Sequence, residues 1–166
     1  LSCLRGVNAT LLAEQSYDPE FSRIFTFLPS IDGKFVSMEP SKDTRENADK
    51  FPEVRMMIGF SKNEGTLFVE MYSAAKALQT EEDFVALCER IAKHYLHPID
   101  VSLPQVRAAV VEAYFGKSAN HFNDAAEFLA DGTFNCPTNA LVKSYAKTHG
   151  NVYVFHFERL FRNAFK

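Results

Sequence analysis

The sequence predicts an α/β fold, and three observations carry that prediction. The first is a short continuous apolar run, Met56-Met57-Ile58-Gly59-Phe60, which suits a strand buried on both faces in a parallel sheet. The second is a similar run from Val152 to Phe157, about ninety residues further on. The third is the stretch between them, about 85 residues of mainly helical periodicity. The first run turns abruptly polar at Ser61-Lys62-Asn63-Glu64-Gly65. Gly65 reads as a residue taking positive φ, so that the chain doubles back and leaves Glu64 at the lip of the sheet. The carboxyl ends of strands in open α/β sheets are where ligands meet catalytic side chains. On spacing alone the plainer reading of Glu64, a solvated turn glutamate, is favoured.

The remaining elements follow in order. A short helix is expected from about Asn8 to Glu14, then a loop through Ser16-Tyr17-Asp18-Pro19. Phe25 and Phe27 alternate with Ile24, Thr26 and Leu28 as a short strand stopped by Pro29. Asp32-Gly33 is a hairpin-type turn, and residues 39 to 52 form a polar surface segment with a brief helix. Thr80-Glu81-Glu82-Asp83 resembles a capping box, after which Phe84, Leu87, Cys88, Ile91 and Tyr95 share a helical face until Pro98. Leu103-Pro104 opens another helix, with Val106, Ala109, Val110, Ala113 and Tyr114 on one face and Gly116 at its end. A shorter helix from about Asn123 to Ala130 is expected to stop at Asp131-Gly132. Pro137 then starts a last helix that turns Leu141, Val142 and Tyr145 inward and ends at Gly150.

Composition bounds the function. With 166 residues, 46% hydrophobic and 23% charged, the chain suits one ordinary globular domain with a sizeable core. A net charge of −3 argues against non-specific nucleic-acid binding. No stretch approaches the roughly 20 apolar residues of a membrane span. Neither an initiator Met nor a signal-peptide pattern stands at Leu1. Three cysteines are an odd count, which in a secreted protein flags a missing partner. Cys88, on an apolar helix face, reads as a buried free thiol. Asn8-Ala9-Thr10 is the sole N-glycosylation sequon and supports secretion weakly.

Several chemical motifs fail on inspection. Gly59-Phe60-Ser61-Lys62-Asn63 and Gly116-Lys117-Ser118-Ala119-Asn120 supply Gly-x-Ser but place Asn where a nucleophile elbow needs its second Gly. His94 and His97 lack the i, i+4 spacing of zinc helices. His156-Phe157-Glu158 has the His-x-Glu of zinc deaminases but no Pro-Cys-x-x-Cys after it, and His156 reads as structural. His121 and His149 read as surface positions. No metal site and no Gly-rich phosphate loop is expected.

Four blocks, in order, resemble the type-B carboxylesterases and cholinesterases. They are Cys3-Leu4-Arg5; Phe25-Thr26-Phe27-Leu28-Pro29-Ser30-Ile31-Asp32-Gly33-Lys34-Phe35; Ile58-Gly59-Phe60-Ser61-Lys62-Asn63-Glu64-Gly65-Thr66-Leu67-Phe68; and Phe134-Asn135-Cys136-Pro137 with Asn151-Val152-Tyr153-Val154-Phe155 beyond it. The resemblance implies an α/β-hydrolase fold, present in part: the C-terminal portion of the sheet with its covering helices. Residues 1–166 would then be a single carboxylesterase domain truncated at both ends. Two strand candidates alone do not make a complete sheet, which points the same way.

The resemblance further implies that Glu64 is the acidic member of a Ser/Glu/His triad, with the serine before Leu1 and the histidine beyond Lys166. The chain alone is then expected to be inactive. Phe25, Leu67 and Phe68 match substrate-pocket positions. Arg23, Leu67 and Met71 replace aromatics of the acetylcholinesterase pocket and gorge, which favours a general carboxylesterase, since cation–π attraction needs a ring face. Plain core packing is the alternative for these pocket residues. Cys3 and Cys136 match positions that the resemblance implies are disulfide-bonded to partners outside this chain. The implied partner is a small-molecule carboxylic ester, without a cofactor, and the implied setting is extracellular, secreted or membrane-attached through a segment outside this chain. Oligomeric state is left open. The rival from another functional class is a catalytically inactive adhesion protein resembling the neuroligins, which keep the fold.

Overall fold

The computed structural model describes residues 2–15, 29–73, 78–96 and 99–159. The chain divides into two compact units, Leu1–Ser37 and Met38–Lys166. In the first unit α1 spans Ser2–Arg5 and α2 spans Ala9–Gln15, the latter close to the expected helix. The Asp32-Gly33 turn is held by the Asp32 carboxylate, which accepts the N–H groups of Lys34, Phe35 and Val36 at 2.9, 2.9 and 3.1 Å. Those bonds hold the Asp32 carboxyl below its usual range, although partial desolvation opposes them. Gly33 supplies the positive φ of 72°. The strand expected at 24–28 lies outside the described residues, as does Phe25.

The second unit begins with α3, Pro40–Glu46, capped by Glu39, whose carboxylate accepts the N–H groups of Ser41 and Lys42. A 3-10 turn, Ala48–Lys50, follows. Strand β1, Met56–Ser61, leads through a turn into α4, Thr66–Ser73. Then come α5, Glu81–Tyr95; α6, Pro104–Tyr114; α7, His121–Ala130; a π-helical segment, Asp131–Asn135; α8, Cys136–His149; and β2, Val152–Phe157. The strands pair in parallel, Met56 opposite Val152 through Ser61 opposite Phe157. Both carboxyl ends therefore lie at one edge, and the helices form the crossover between them.

The core is helical. The capping box of α5 forms as its sequence requires: Asp83 N–H donates to Thr80 Oγ1 and Thr80 N–H to Asp83 Oδ2, each at 3.1 Å. Phe84, Leu87, Cys88 and Ile91 are buried, and Tyr95 is half-buried. Burial in apolar surroundings pushes the free Cys88 thiol far up, so it stays protonated. Helix α5 ends with Leu96 N–H on the Ala92 carbonyl, before Pro98, which lies outside the described residues. On α6, which packs against both α5 and α7, only Val110 of the expected face is fully buried; Ala109 and Ala113 are exposed.

Three further expectations are corrected. The helix expected to stop at Asp131-Gly132 runs on through the π segment into α8. Gly132 is needed there for proximity: a Cβ would lie 2.5 Å from a Leu96 methyl. Gly65 does not take positive φ; among the described glycines only Gly33, Gly116 and Gly150 do. Its Cβ would lie 1.9 Å from the Ala126 carbonyl oxygen, so glycine lets α4 sit against α7. Finally, the strands are not buried on both faces: Met57 is 75% and Tyr153 61% exposed. The physical reason is that two strands give each other only their inner edges, and among the described residues no third strand flanks them.

Candidate active site

Glu64 occupies the turn that leaves β1 at the edge where both strands end. The ladder continues one step past the strands, with Lys62 N–H donating to the Phe157 carbonyl at 2.9 Å. The Thr66 N–H then closes on the Asn63 carbonyl at 3.1 Å and starts α4. Within this turn Ser61 N–H donates to Glu64 Oε1 at 2.7 Å. That bond folds the carboxyl group of the half-buried Glu64 back over the end of its own strand. Its second oxygen makes no hydrogen bond among the described residues. A carboxylate so held can accept one further N–H in a fixed direction, the role of an acid that orients an imidazole.

The other sequence-derived site residues fall around this turn in different ways. Leu67, on the first turn of α4, is 66% exposed. Phe68 faces the helical core instead: its ring centroid lies 5.7 Å from that of Phe134 and 6.4 Å from that of Tyr95. Gly59, opposite Phe155, is required because a Cβ would press within 2.6 Å of that ring and 2.3 Å of its carbonyl oxygen.

His156 does not reach Glu64. Its Nδ1 lies 3.4 Å from Glu158 Oε1, and its ring packs 5.1 Å from Phe60. Glu158 also meets Lys62 Nζ at 3.9 Å, so one exposed glutamate bridges the ends of both strands. Such exposed pairs stabilise little. Cys3 and Cys136 are exposed and unpaired.

Three polar constellations escaped the sequence reading. Asp124 is fully buried, yet its carboxylate accepts Gly116 N–H at 2.9 Å, Ser118 N–H at 2.7 Å and His121 Nδ1 at 3.0 Å. Burial works to raise this carboxyl, but the bonds from His121, Gly116 and Ser118 outweigh it and hold it below its usual value. His121 is thereby fixed with its proton on Nδ1 and stacks on Phe115 at 4.3 Å. It is thus a structural partner and not a free surface residue.

The second constellation is Tyr145, whose buried hydroxyl accepts Val54 N–H at 2.8 Å. Its own proton lies between the carbonyls of Pro52, at 2.8 Å, and Val54, at 3.0 Å. Helix α8 so clamps the approach to β1. His149 adds a second tie, with Nε2 on the Ala48 carbonyl at 3.0 Å, so its surface assignment is also corrected. The third is Asp131, which accepts the Tyr114 hydroxyl at 3.0 Å and Asn135 Nδ2 at 2.8 Å across the π segment. Burial first, then the Asp131 carboxylate, pushes the Tyr114 hydroxyl well above its usual value. Half of the donors to these groups are backbone N–H groups, of Gly116, Ser118 and Val54, which leave no signature in sequence.

Among the described residues there is no cluster of three or more side chains able to hold a metal ion. No described helix is long and apolar enough to cross a membrane.

Comparison with known proteins gives two findings. The sequence pattern of the carboxylesterase family matches residues 1–164. A protein named Cholinesterase 2, from Branchiostoma lanceolatum, is 25% identical over 157 residues, covering 90% of this chain and 45% of that protein. The chain thus spans about half the length of this relative.

Proposed function

Because the chain belongs to the carboxylesterase family, we propose that residues 1–166 form part of a serine carboxylic-ester hydrolase with Glu64 as its acidic triad member. One observation carries the reading. Glu64 sits where β1 ends, pinned by Ser61 N–H at 2.7 Å, and parallel pairing brings the chain that follows β2 to the same edge. A histidine arriving on that following chain would donate its ring N–H to the free lone pairs of Glu64. The glutamate would fix the tautomer and stabilise the imidazolium formed when the serine gives up its proton to attack the ester carbonyl. Expulsion of the alcohol leaves an acyl-enzyme, and water attacks it by the same route with the histidine again as base. Backbone N–H groups near the serine would stabilise the oxyanion.

Serine and histidine are assigned to the complete protein outside residues 1–166, so this chain alone is expected to turn over no ester. By the family match Phe25 is assigned to the acyl pocket, and Leu67 to the position where acetylcholinesterases carry an aromatic facing a quaternary ammonium; Phe68, the neighbouring family aromatic, packs near Phe134 and Tyr95. Leucine at position 67 suits an uncharged acyl or alkyl group better than a quaternary ammonium. The setting is extracellular, secreted or membrane-attached, as the family resemblance implies.

The test is steady-state hydrolysis of a chromogenic carboxylic ester by the complete protein. Glu64→Gln keeps the shape but loses the charge, and kcat/KM should fall by about 10³- to 10⁴-fold with KM little changed. Unchanged turnover would remove Glu64 from the triad. Absence of turnover in the wild type, with a residue other than serine at the elbow, would move the protein to the adhesion class.

A further inference from the structure

The sequon Asn8-Ala9-Thr10 takes no part in the chemistry at Glu64 and lies within the Leu1–Ser37 unit. It is the only Asn-x-Ser/Thr triplet in the 166 residues. Asn8, Ala9 and Thr10 are all exposed. Asn8 precedes α2, and Thr10 N–H donates to Asn8 Oδ1 at 2.8 Å, while Leu12 N–H donates to the Asn8 carbonyl at 3.1 Å. The oxygen side of the Asn8 amide is therefore engaged with the backbone. Its Nδ2, the atom that would accept a sugar, makes no hydrogen bond among the described residues.

We infer that Asn8 is an N-linked glycosylation site. The inference rests on the secretory setting proposed above but not on ester hydrolysis. In the transfer step Asn8 Nδ2 forms a bond to C1 of the first sugar of a lipid-linked pyrophosphoryl oligosaccharide. The C1–O bond to the pyrophosphate breaks, its electron pair leaves with the lipid pyrophosphate, and one amide proton passes to the transferase and then to solvent. No oxidation state changes. The Thr10 hydroxyl supplies the third position that the acceptor motif requires.

Transfer takes place on the emerging chain, so the fold has only to accommodate the product. A glycosylated Asn keeps its amide oxygen, and the bond from Thr10 N–H to Oδ1 survives unchanged. The sugar would stand on an exposed segment, where its bulk displaces no buried group.

The experiment maps the peptide carrying residue 8 by mass spectrometry, before and after enzymatic glycan release. The complete protein is produced in eukaryotic secretory cells under its natural targeting, and separately behind a heterologous secretory leader. The expected result is an oligosaccharide-bearing peptide in both arms, lost in Asn8→Gln and Thr10→Ala and retained in Thr10→Ser. An unmodified peptide in both arms overturns the inference at the site itself. An unmodified peptide under natural targeting with a modified one behind the leader overturns it through the secretory setting. Ester turnover, which neither Asn8→Gln nor Thr10→Ser should alter, reports separately on the triad reading.

Discussion

Asp124, within α7, and Glu64, on the turn that packs against α7, are two carboxylates that the molecule treats in opposite ways. Asp124, near the start of α7, is 0% exposed and accepts three donors from a single loop and helix turn. Glu64, at the end of β1, is half-buried and accepts one backbone N–H. The first is a saturated acid: two of its bonds hold the loop at Gly116 and Ser118 to α7, and the third fixes the His121 ring on the first turn of that helix. The second is oriented but unsaturated, as an acid must be if it is to receive a proton donor from elsewhere. On the proposed reading of Glu64, deep burial alone does not mark a catalytic group. An unused bonding direction at the carboxyl edge of a parallel pair is the better sign.

The largest effect on stability should therefore come from Asp124. Asp124→Ala strands two loop N–H groups and the His121 ring, and should cost about 4 kcal/mol in chemical denaturation of the complete protein. A cost below about 1 kcal/mol would mean that water replaces the carboxylate freely, and the contrast with Glu64 would collapse. The sign of the pH dependence follows from the lowered Asp124 value. A carboxyl depressed in the folded state contributes stability above its unfolded value, about 3.9, and loses it as pH falls through the folded value. Wild-type protein should lose this contribution below about pH 4, and Asp124→Asn should flatten that part of the profile.

Next in size is Gly65→Ala, which sharpens the comparison because Gly65 joins the Glu64 turn to α7. The added Cβ would meet the Ala126 carbonyl oxygen at 1.9 Å, a backbone atom that cannot swing aside. A loss of about 3 kcal/mol is expected, with a fall in turnover as the turn is displaced. Tyr145→Phe tests the other end of β1. It removes the acceptor for Val54 N–H and the donor to the Pro52 and Val54 carbonyls, at a cost of about 2 kcal/mol by denaturation.

How much of this was legible in the sequence depends on where the deciding partner sits. Helix α5 was legible because its signals are local: Thr80 and Asp83 cap each other, and Phe84, Leu87, Cys88 and Ile91 repeat at helical spacing. The α7–α8 junction was misread because Asp131-Gly132 carries the ordinary stop signal, whereas the Leu96 side chain, distant in sequence, makes glycine necessary in a continuing helix. Gly65 was read as a flexible turn residue for the same reason, its true constraint being the Ala126 carbonyl. The Glu64 position was legible from an apolar run turning polar, and from its block of neighbours. Asp124 was not, since two of its three donors are backbone groups at Gly116 and Ser118 that any residue but proline would carry.

The smallest expected effect is the most discriminating. Glu64→Gln should change stability by less than about 1 kcal/mol. Glutamine keeps an amide oxygen at the place of Oε1, so the Ser61 N–H can still be accepted and the turn at residues 62–65 retained. What glutamine lacks is the negative charge that favours an imidazolium. Turnover should fall by about 10³-fold or more while the unfolding midpoint stays in place, the reverse of Asp124→Asn, which should lower the midpoint far more than turnover at matched folded fraction. If Glu64→Gln instead unfolds the protein as readily as the Asp124 substitution, Glu64 is a turn-forming residue. The free bonding direction at the strand edge then has no part in the chemistry.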